Sequence, residues 1–197
     1  MRPASQQDAL HALGKFAKAH CPCDKAVEVG VYGGEATIIF ADYFQQVIAV
    51  DPWIDGYDDA DCASNSCSLE LVYQSYLARI KDKQNITTIR QKSLDALALV
   101  PDKSIDFVYI DGNHQHEMAL QDIQGWLPKV KAGGIMSGHD YNMQTVNDAV
   151  SKVFPGKEAF LFADHSWAIP VWENYAEATQ EKTEWYSGHI HSTMKYG

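Results

Sequence analysis

The spacing of apolar residues along this chain switches repeatedly between the helical period and the strand period. Short apolar runs bounded by turn residues predict strands, and longer stretches with apolar residues three and four positions apart predict helices. The pattern places strands at 25–30, 46–50, 86–89, 105–110 and 133–137, and helices near 5–20, 34–44, 68–83, 95–100, 116–128 and 146–153. Two last apolar runs, Ala159–Ala163 and Ala168–Trp172, predict an antiparallel strand pair.

The regular alternation of strands and helices predicts the fold class. It is typical of a doubly wound α/β fold, with a mostly parallel seven-stranded sheet and helices on both faces. The run at 105–110 is almost wholly apolar, so we expect it in the middle of the sheet. The length of 197 residues suits one domain. We divide it into an N-terminal helix within 1–22, an α/β core at 24–172 and a tail at 173–197.

The net charge and the composition narrow the classes of partner. A formal net charge of −10 would repel phosphates, so no nucleic-acid partner is expected. No stretch approaches the roughly 18 apolar residues of a membrane span. Residues 1–5 also lack the apolar centre of a secretion signal. We therefore expect a cytoplasmic protein with no membrane partner.

The four cysteines form two pairs along the sequence, Cys21-x-Cys23 and Cys62-x4-Cys67. Small zinc motifs typically separate two cysteines by two residues, and neither pair has that spacing. We predict free thiols rather than a zinc site.

A glycine turn follows the first predicted strand, and an acidic residue closes the second. Gly30, Tyr32 and Gly33 lie in the turn, and Asp51 follows the strand at 46–50. This order of strand, glycine loop, helix, strand and acid holds a nucleoside at the carboxyl edge of a parallel sheet. A dinucleotide fingerprint needs glycine where Tyr32 stands, so a pyrophosphate is disfavoured. With Glu28 just upstream, the loop favours a cationic ligand without phosphate.

Further polar residues follow the fourth and fifth predicted strands. Asp111 and His114 come after the strand at 105–110, and His139 and Asp140 come after the strand near 133–137. In an open α/β sheet, residues just past the carboxyl ends of the strands line the ligand crevice. We therefore expect these residues to share one edge with Asp51.

These motifs together resemble one enzyme family. The segment from Glu28 to Gly34 resembles motif I of class I S-adenosylmethionine-dependent methyltransferases. The second half resembles the "IDG-x-H … GG … HD-Y" group, small O-methyltransferases of sugars and other small molecules, over about residues 24–155. The residues that carry this second resemblance are 108–117, Asp122, Trp126-Leu127-Pro128, Gly133-Gly134 and His139-Asp140-Tyr141.

The resemblance implies roles at the methionine and ribose ends of S-adenosylmethionine. Gly30, Tyr32 and Gly33 would form the turn beneath the methionine part. Glu28 would lie near the cofactor's amino group. Asp51 would accept hydrogen bonds from both ribose hydroxyls, as a carboxylate can.

The resemblance also implies an adenine-binding side. Pro52 and Trp53 would form an apolar wall for the adenine face, with loop packing as the alternative for Trp53. Ser93 and Leu94 would contact the adenine edge. Ser93 is also predicted to be the N-cap of the helix that begins at Leu94. Asp111 is also expected to contact the cofactor.

Two hypotheses remain open for the reaction itself. In the first, Asp111, His139 and Asp140 bind Mg²⁺ or another divalent cation, as in metal-dependent relatives, and the cation lowers the pKa of the acceptor oxygen. Histidine is a poor Mg²⁺ ligand and shifts the preference toward a transition metal. In the second hypothesis, His139 or His114 is the general base. Asp140 is a catalytic candidate in both.

The predicted function is transfer of a methyl group to a small-molecule acceptor, with oxygen as the expected target. A nicotinamide-dependent oxidoreductase is one alternative, which the missing glycine at Tyr32 disfavours. A non-catalytic ligand-binding protein of the same fold is another. The loop at 52–67 and the aromatic tail are candidates for a lid, and the tail is also a candidate for a homodimer contact.

Overall fold

A computed structural model describes residues 3–57 and 65–171. Its helices are α1 (Ala4–His20), α2 (Glu35–Phe40), α3 (Leu69–Ile80), α4 (Ser93–Ala96), α5 (His116–Trp126) and α6 (Gln144–Val153). Its strands are β1 (Lys25–Val29), β2 (Gln46–Val50), β3 (Ile86–Ile89), β4 (Ile105–Ile110), β5 (Val130–Gly138), β6 (Phe160–Leu161) and β7 (Trp167–Val171). Short 3₁₀ turns follow α4 and α5, at Leu97–Leu99 and Leu127–Lys129.

The seven strands form one sheet in the order β3-β2-β1-β4-β5-β7-β6. The strands β1 to β5 are parallel to one another, whereas β7 is antiparallel to β5 and β6 is antiparallel to β7. The predicted fold class is therefore confirmed, including the antiparallel pair. The order of strands reverses between β1 and β4, and ligands bind at such a switch point in open α/β sheets.

The sheet is covered on both faces because its inner strands are apolar on both sides. Alternate residues of β4 enter two different cores: Phe107 and Tyr109 pack with α1 and α2, and Val108 packs with α5 and α6. Asp106 is the exception within β4. Its buried carboxylate accepts hydrogen bonds from the backbone amides of residues 24 and 25 and from Lys131 Nζ at 2.8 Å.

Several predicted boundaries differ from the observed ones. The predicted helix at 34–44 ends at Phe40, and the predicted strand at 133–137 begins earlier, at Val130. The pairing of β4 with β5 shifts register between Ile105 and Phe107, which lets β5 continue through the Gly133-Gly134 turn. A glycine pair within a strand is typical of such an irregularity.

Some expectations concern residues outside the described part of the chain. They include the end of the final strand at Trp172, the tail at 173–197, Cys62 and much of the loop at 52–67. Within residues 3–57 and 65–171, no helix has the length and apolar character that a bilayer crossing requires.

Candidate functional site

The carboxyl ends of the inner strands lie side by side, which brings the predicted polar residues to one edge. The amide of Gly30 donates to Val50 O at 2.9 Å, and the amide of Asp111 donates to Val29 O at 2.7 Å. The amide of His139 in turn donates to Ile110 O at 3.0 Å. The loops that follow β1, β2, β4 and β5 therefore begin at the same level and form the rim of one crevice.

The glycine turn after β1 passes close to the end of β4. Gly30 has a φ of 85°, and a Cβ atom at this position would lie 2.0 Å from the carbonyl oxygen of Asp111. Only glycine tolerates both the positive φ and this approach. The turn can therefore lie directly against the loop after β4, where the resemblance places the cofactor.

Replacing Gly30 by alanine is expected to lower the free energy of unfolding by about 3 kcal/mol or more, since a φ penalty and a backbone overlap add together. Gly156 provides a matched control, because it has a φ of 72° and a Cβ atom there would meet nothing within 4 Å. Gly156→Ala should cost only about 1 kcal/mol. Urea unfolding of both variants measures the difference, and equal losses would contradict the close contact.

Asp51 holds the glycine turn in place. Its Oδ2 accepts hydrogen bonds from the amides of Val31 and Tyr32, both at 2.9 Å, and its Oδ1 accepts one from the amide of Trp53 at 2.7 Å. Burial raises the pKa of Asp51 above its usual range, and these amides oppose the rise. A carboxylate offers about four acceptor positions. The three amides occupy three of these positions, so about one is left for a ligand hydroxyl.

Tyr32 and Trp53 point in different directions although both have a positive φ, of 49° and 45°. The Tyr32 side chain is 41% exposed, whereas Trp53 is only 2% exposed. The Trp53 ring packs 4.7 Å from Tyr73 and 5.0 Å from Tyr76, and its Nε1 donates to Tyr32 O at 2.9 Å. The buried indole does not form the predicted apolar wall in this structure, because α3 draws it into the core; loop packing is the interpretation that the structure favours.

Glu28, in β1, and Gly33, in the glycine turn, both accept hydrogen bonds from side chains of helices. Glu28 is 1% exposed, and its Oε2 accepts a hydrogen bond from Thr37 Oγ1 at 2.5 Å. The carbonyl of Gly33 accepts one from Arg79 Nη1 at 2.6 Å, and Arg79 lies 3.5 Å from Glu35. Glu28 thus connects β1 to α2 from inside the protein, and its contact with the cofactor stays a prediction.

The predicted adenine side contains a buried polar group formed by Ser93, Asp122 and Trp126. Ser93 is the first residue of α4, and the N-cap is Lys92, so the predicted N-cap role of Ser93 is wrong. Its hydroxyl instead accepts a hydrogen bond from Trp126 Nε1 at 2.9 Å and also bonds the buried carboxyl group of Asp122. Leu94 is 44% exposed beside this group, so its side chain is open to a ligand.

Asp122 makes the stability of the protein depend on pH. Burial raises the pKa of Asp122 from 3.8 to about 6, although the hydrogen bond with Ser93 limits the rise. The pKa of Asp122 is higher in the folded state than in the unfolded chain. The protonated carboxyl group therefore makes its full contribution to stability at pH values below the unfolded-state pKa. It is lost as the pH rises from about 4 through about 6.

Asp122→Asn is therefore expected to stabilise the protein at about pH 8, by roughly 1–3 kcal/mol, and to have less effect near pH 4. Urea unfolding at both pH values measures the difference. The exposed Asp148, in α6, supplies the control substitution Asp148→Asn, which should give the same small change at both. A stabilisation by Asp122→Asn that does not grow with pH would contradict the burial effect.

The acidic and histidine residues after β4 and β5 form a compact cluster. His139 Nδ1 lies 3.0 Å from Asp140 Oδ2 and 3.7 Å from Asp111 Oδ1, and His114 Nε2 lies 2.7 Å from the same Asp140 oxygen. Burial opposes ionisation of Asp140, but the two histidines more than offset it and hold its pKa well below the usual range. Asp140 also has a φ of 56°, which turns its carboxylate back toward both rings.

Donor atoms of Asp111, His139 and Asp140 lie within 4.8 Å of one another, which would suit a metal ion. One imidazole nitrogen with two carboxylates is a donor set typical of Mn, Fe or Zn rather than Mg²⁺. The residues present therefore fit a divalent transition metal. Asp111, His114 and His139 border a small cleft that is also lined by Ile110, Val146 and Trp167.

Asp164 is a third carboxylate close to His139, and the sequence pattern did not predict this contact. Its fully buried side chain lies 3.8 Å from His139 Nε2, on the side of the ring opposite Asp140. Its two oxygens accept hydrogen bonds from the amide and the hydroxyl of Ser166, both at 3.0 Å. At 3.8 Å the Asp164 carboxylate is too far from Nε2 for a hydrogen bond, whereas Nδ1 is within hydrogen-bond distance of Asp140.

A family model described as a methyltransferase domain matches residues 27–141. Among curated proteins, the chain is similar to the uncharacterized protein y4gI of Sinorhizobium fredii, with 24% identity over 123 residues. The match covers 59% of this chain and 13% of that protein. The chain therefore corresponds to a small part of the relative's length.

Solved structures share the fold at low identity. The O-methyltransferase TomG of Streptomyces achromogenes, in complex with SAM, has a TM-score of 0.60 and 12% identity, with 87% of this chain and 82% of that chain covered. A putative caffeoyl-CoA O-methyltransferase of Staphylococcus aureus has a TM-score of 0.58 and 15% identity, with 87% of this chain and 85% of that chain covered. An rRNA methylase of Streptococcus thermophilus has a TM-score of 0.59 and 17% identity, with 81% of this chain and 93% of that chain covered.

Proposed function

Because the chain belongs to the class I S-adenosylmethionine-dependent methyltransferase family, we propose that it transfers a methyl group to an oxygen atom of a small-molecule acceptor. The observation that carries the proposal is the shared edge, where the glycine turn and Asp51 adjoin the cluster of Asp111, His139 and Asp140. In this proposal the site for the cofactor's nucleoside lies next to the residues that would deprotonate the acceptor. Family membership argues against the nicotinamide-dependent oxidoreductase.

We propose that S-adenosylmethionine lies along the carboxyl ends of β1, β2 and β3. In this proposal the turn at Gly30 lies beneath its methionine part, Asp51 accepts a hydrogen bond from a ribose hydroxyl, and Leu94 contacts its adenine ring. The absence of a phosphate-binding glycine at Tyr32 and the net charge of −10 suit a sulfonium cofactor. The methyl group then faces the cleft beside Asp111.

Within this proposal, the chain contributes mainly by orienting the two reactants. Methyl transfer from sulfur is an in-line displacement, so alignment and exclusion of water supply much of the rate. The exposed Tyr32 side chain, on a backbone fixed by Asp51 and Trp53, would cover the reacting groups from the solvent side.

Two routes to deprotonation of the acceptor remain within the proposal. A divalent cation held by Asp111, His139 and Asp140 would act as a Lewis acid on the acceptor oxygen. Without a cation, the general base would be His139 or His114. Asp140 contacts Nδ1 of His139 and Nε2 of His114, so its carboxylate would orient either ring.

A screen with labelled S-adenosylmethionine tests the proposal. Sugars, phenols and carboxylic acids are offered as acceptors, with added Mn²⁺ and, in parallel, after exhaustive chelation. Label transfer to an oxygen atom of any of these acceptors supports the proposal, and transfer only to nitrogen or to RNA would contradict it. Activity that survives exhaustive chelation excludes the cation and leaves His139 or His114 as the general base. Binding of cofactor with no transfer to any acceptor would favour the non-catalytic alternative.

A further inference from the structure

We propose that Cys21 and Cys23 form a reversible dithiol–disulfide site, separate from the methyl-transfer site. The two sulfur atoms lie 3.7 Å apart, within hydrogen-bond distance for sulfur. They are at the amino end of β1, whereas the proposed cofactor site is at the carboxyl end of the sheet. The site would take a low-molecular-weight disulfide, such as oxidised glutathione, as its reaction partner.

The backbone around the two cysteines is fixed on both sides. The amide of Cys21 donates to Ala17 O at 2.9 Å, and the carbonyl of Cys23 accepts from the amide of Gln45 at 3.0 Å. Directly after Cys23, the amides of Asp24 and Lys25 donate to the buried Asp106 carboxylate. Pro22 stiffens the segment further. The short distance between the sulfurs is therefore a property of the folded chain.

Cys23 adopts a backbone conformation that a cysteine rarely has. Its φ is 62°, in the left-handed region that costs a residue with a Cβ atom of the order of 1 kcal/mol. Local strain of this kind persists where the surrounding structure enforces it, and it often marks a functional position. Here the conformation belongs to the segment that brings the second sulfur beside the first.

The electrostatics of the pair favour reaction. The hydrogen bond from Cys21 lowers the pKa of the Cys23 thiol, although burial and the charges of Asp106 and Asp24 oppose this change and Lys18 assists it. The same hydrogen bond, with burial, raises the pKa of Cys21. One sulfur is thus favoured as a thiolate while the other keeps its proton, which suits thiol–disulfide exchange.

The exchange balances without any further oxidant. One cysteine thiolate attacks the small disulfide and releases one thiolate, which leaves a mixed disulfide on the protein. The second cysteine loses its proton and attacks that sulfur, which releases the second thiolate. One disulfide bond is broken and one is formed, two electrons pass from the cysteine pair to the reagent, and the two released thiolates take up protons.

The test uses the full chain with Cys62→Ser and Cys67→Ser, so that the pair is the only thiol source, in a glutathione redox buffer. Intact mass is expected to fall by two hydrogens with no retained adduct, and dithiothreitol should restore it. Adding Cys21→Ser or Cys23→Ser should stop the reaction at the glutathione adduct. Binding of S-adenosylhomocysteine confirms that each variant is folded.

The exposed Cys67 supplies the matched comparison. In a variant that retains Cys67 alone, the ratio of modified to reduced thiol should be at least about tenfold lower in the same buffer, since no second thiol closes the ring. Retention of one or two glutathione adducts on the pair would overturn the proposal. The proposal would also be overturned if Cys21 and Cys23 stayed reduced in a buffer that modifies Cys67.

Discussion

Asp51→Ala is expected to weaken binding of S-adenosylhomocysteine by at least about a hundredfold. The substitution removes the proposed hydrogen bond from a ribose hydroxyl, worth roughly 1.5–3 kcal/mol for a charged acceptor. It also removes the acceptor for the amides of Val31, Tyr32 and Trp53, so the glycine turn loses its anchor. Isothermal titration calorimetry with wild type and variant measures the loss.

The exposed Asp82, in the turn after α3, provides the control for this prediction. Asp82→Ala removes the same charge at a distance from the proposed site, and its affinity should match that of the wild type. An Asp51→Ala variant that is folded by circular dichroism and binds as tightly as the wild type would show that the nucleoside lies elsewhere.

Asp140→Asn is expected to lower kcat by about a thousandfold while the affinity for S-adenosylhomocysteine changes by less than about threefold. The asparagine keeps the side-chain shape and tolerates the φ of 56°, so the loop after β5 should stay in place. What is lost is the negative charge that contacts both His114 and His139. Either route to deprotonation of the acceptor then fails.

Steady-state kinetics with a fixed acceptor, together with calorimetry, separate the two effects. Asp140→Ala should be less informative, because alanine adds backbone strain at a positive φ. Asp148→Asn, on the exposed face of α6, serves as the charge-matched control and should keep full activity. If Asp140→Asn keeps full activity as well, the cluster after β5 is not part of the reaction.

The residues at the strand ends could be predicted from the sequence because a parallel sheet places all carboxyl ends at one edge. Gly30, Asp51, Asp111 and Asp140 needed only the positions of the strands. The burial of Glu28 also follows from the same logic, since a central parallel strand is buried on both faces. Those features depend on local pattern and on the order of the elements.

Features that depend on long-range packing could not be predicted. The Trp53 ring is buried because α3 brings Tyr73 and Tyr76 against it, and no local pattern reveals that contact. Asp164 reaches His139 only because β7 pairs antiparallel with β5, with Gly138 opposite Trp167. A single aspartate in a turn carries no sequence signal for such a role.

The central claim is that the glycine turn after β1 binds a sulfonium nucleoside and not a dinucleotide. Calorimetric titration of the wild-type protein with S-adenosylhomocysteine and, separately, with NAD tests this claim most directly. We expect a dissociation constant on the order of micromolar for S-adenosylhomocysteine and no measurable heat with NAD. Binding of NAD without binding of S-adenosylhomocysteine would contradict it.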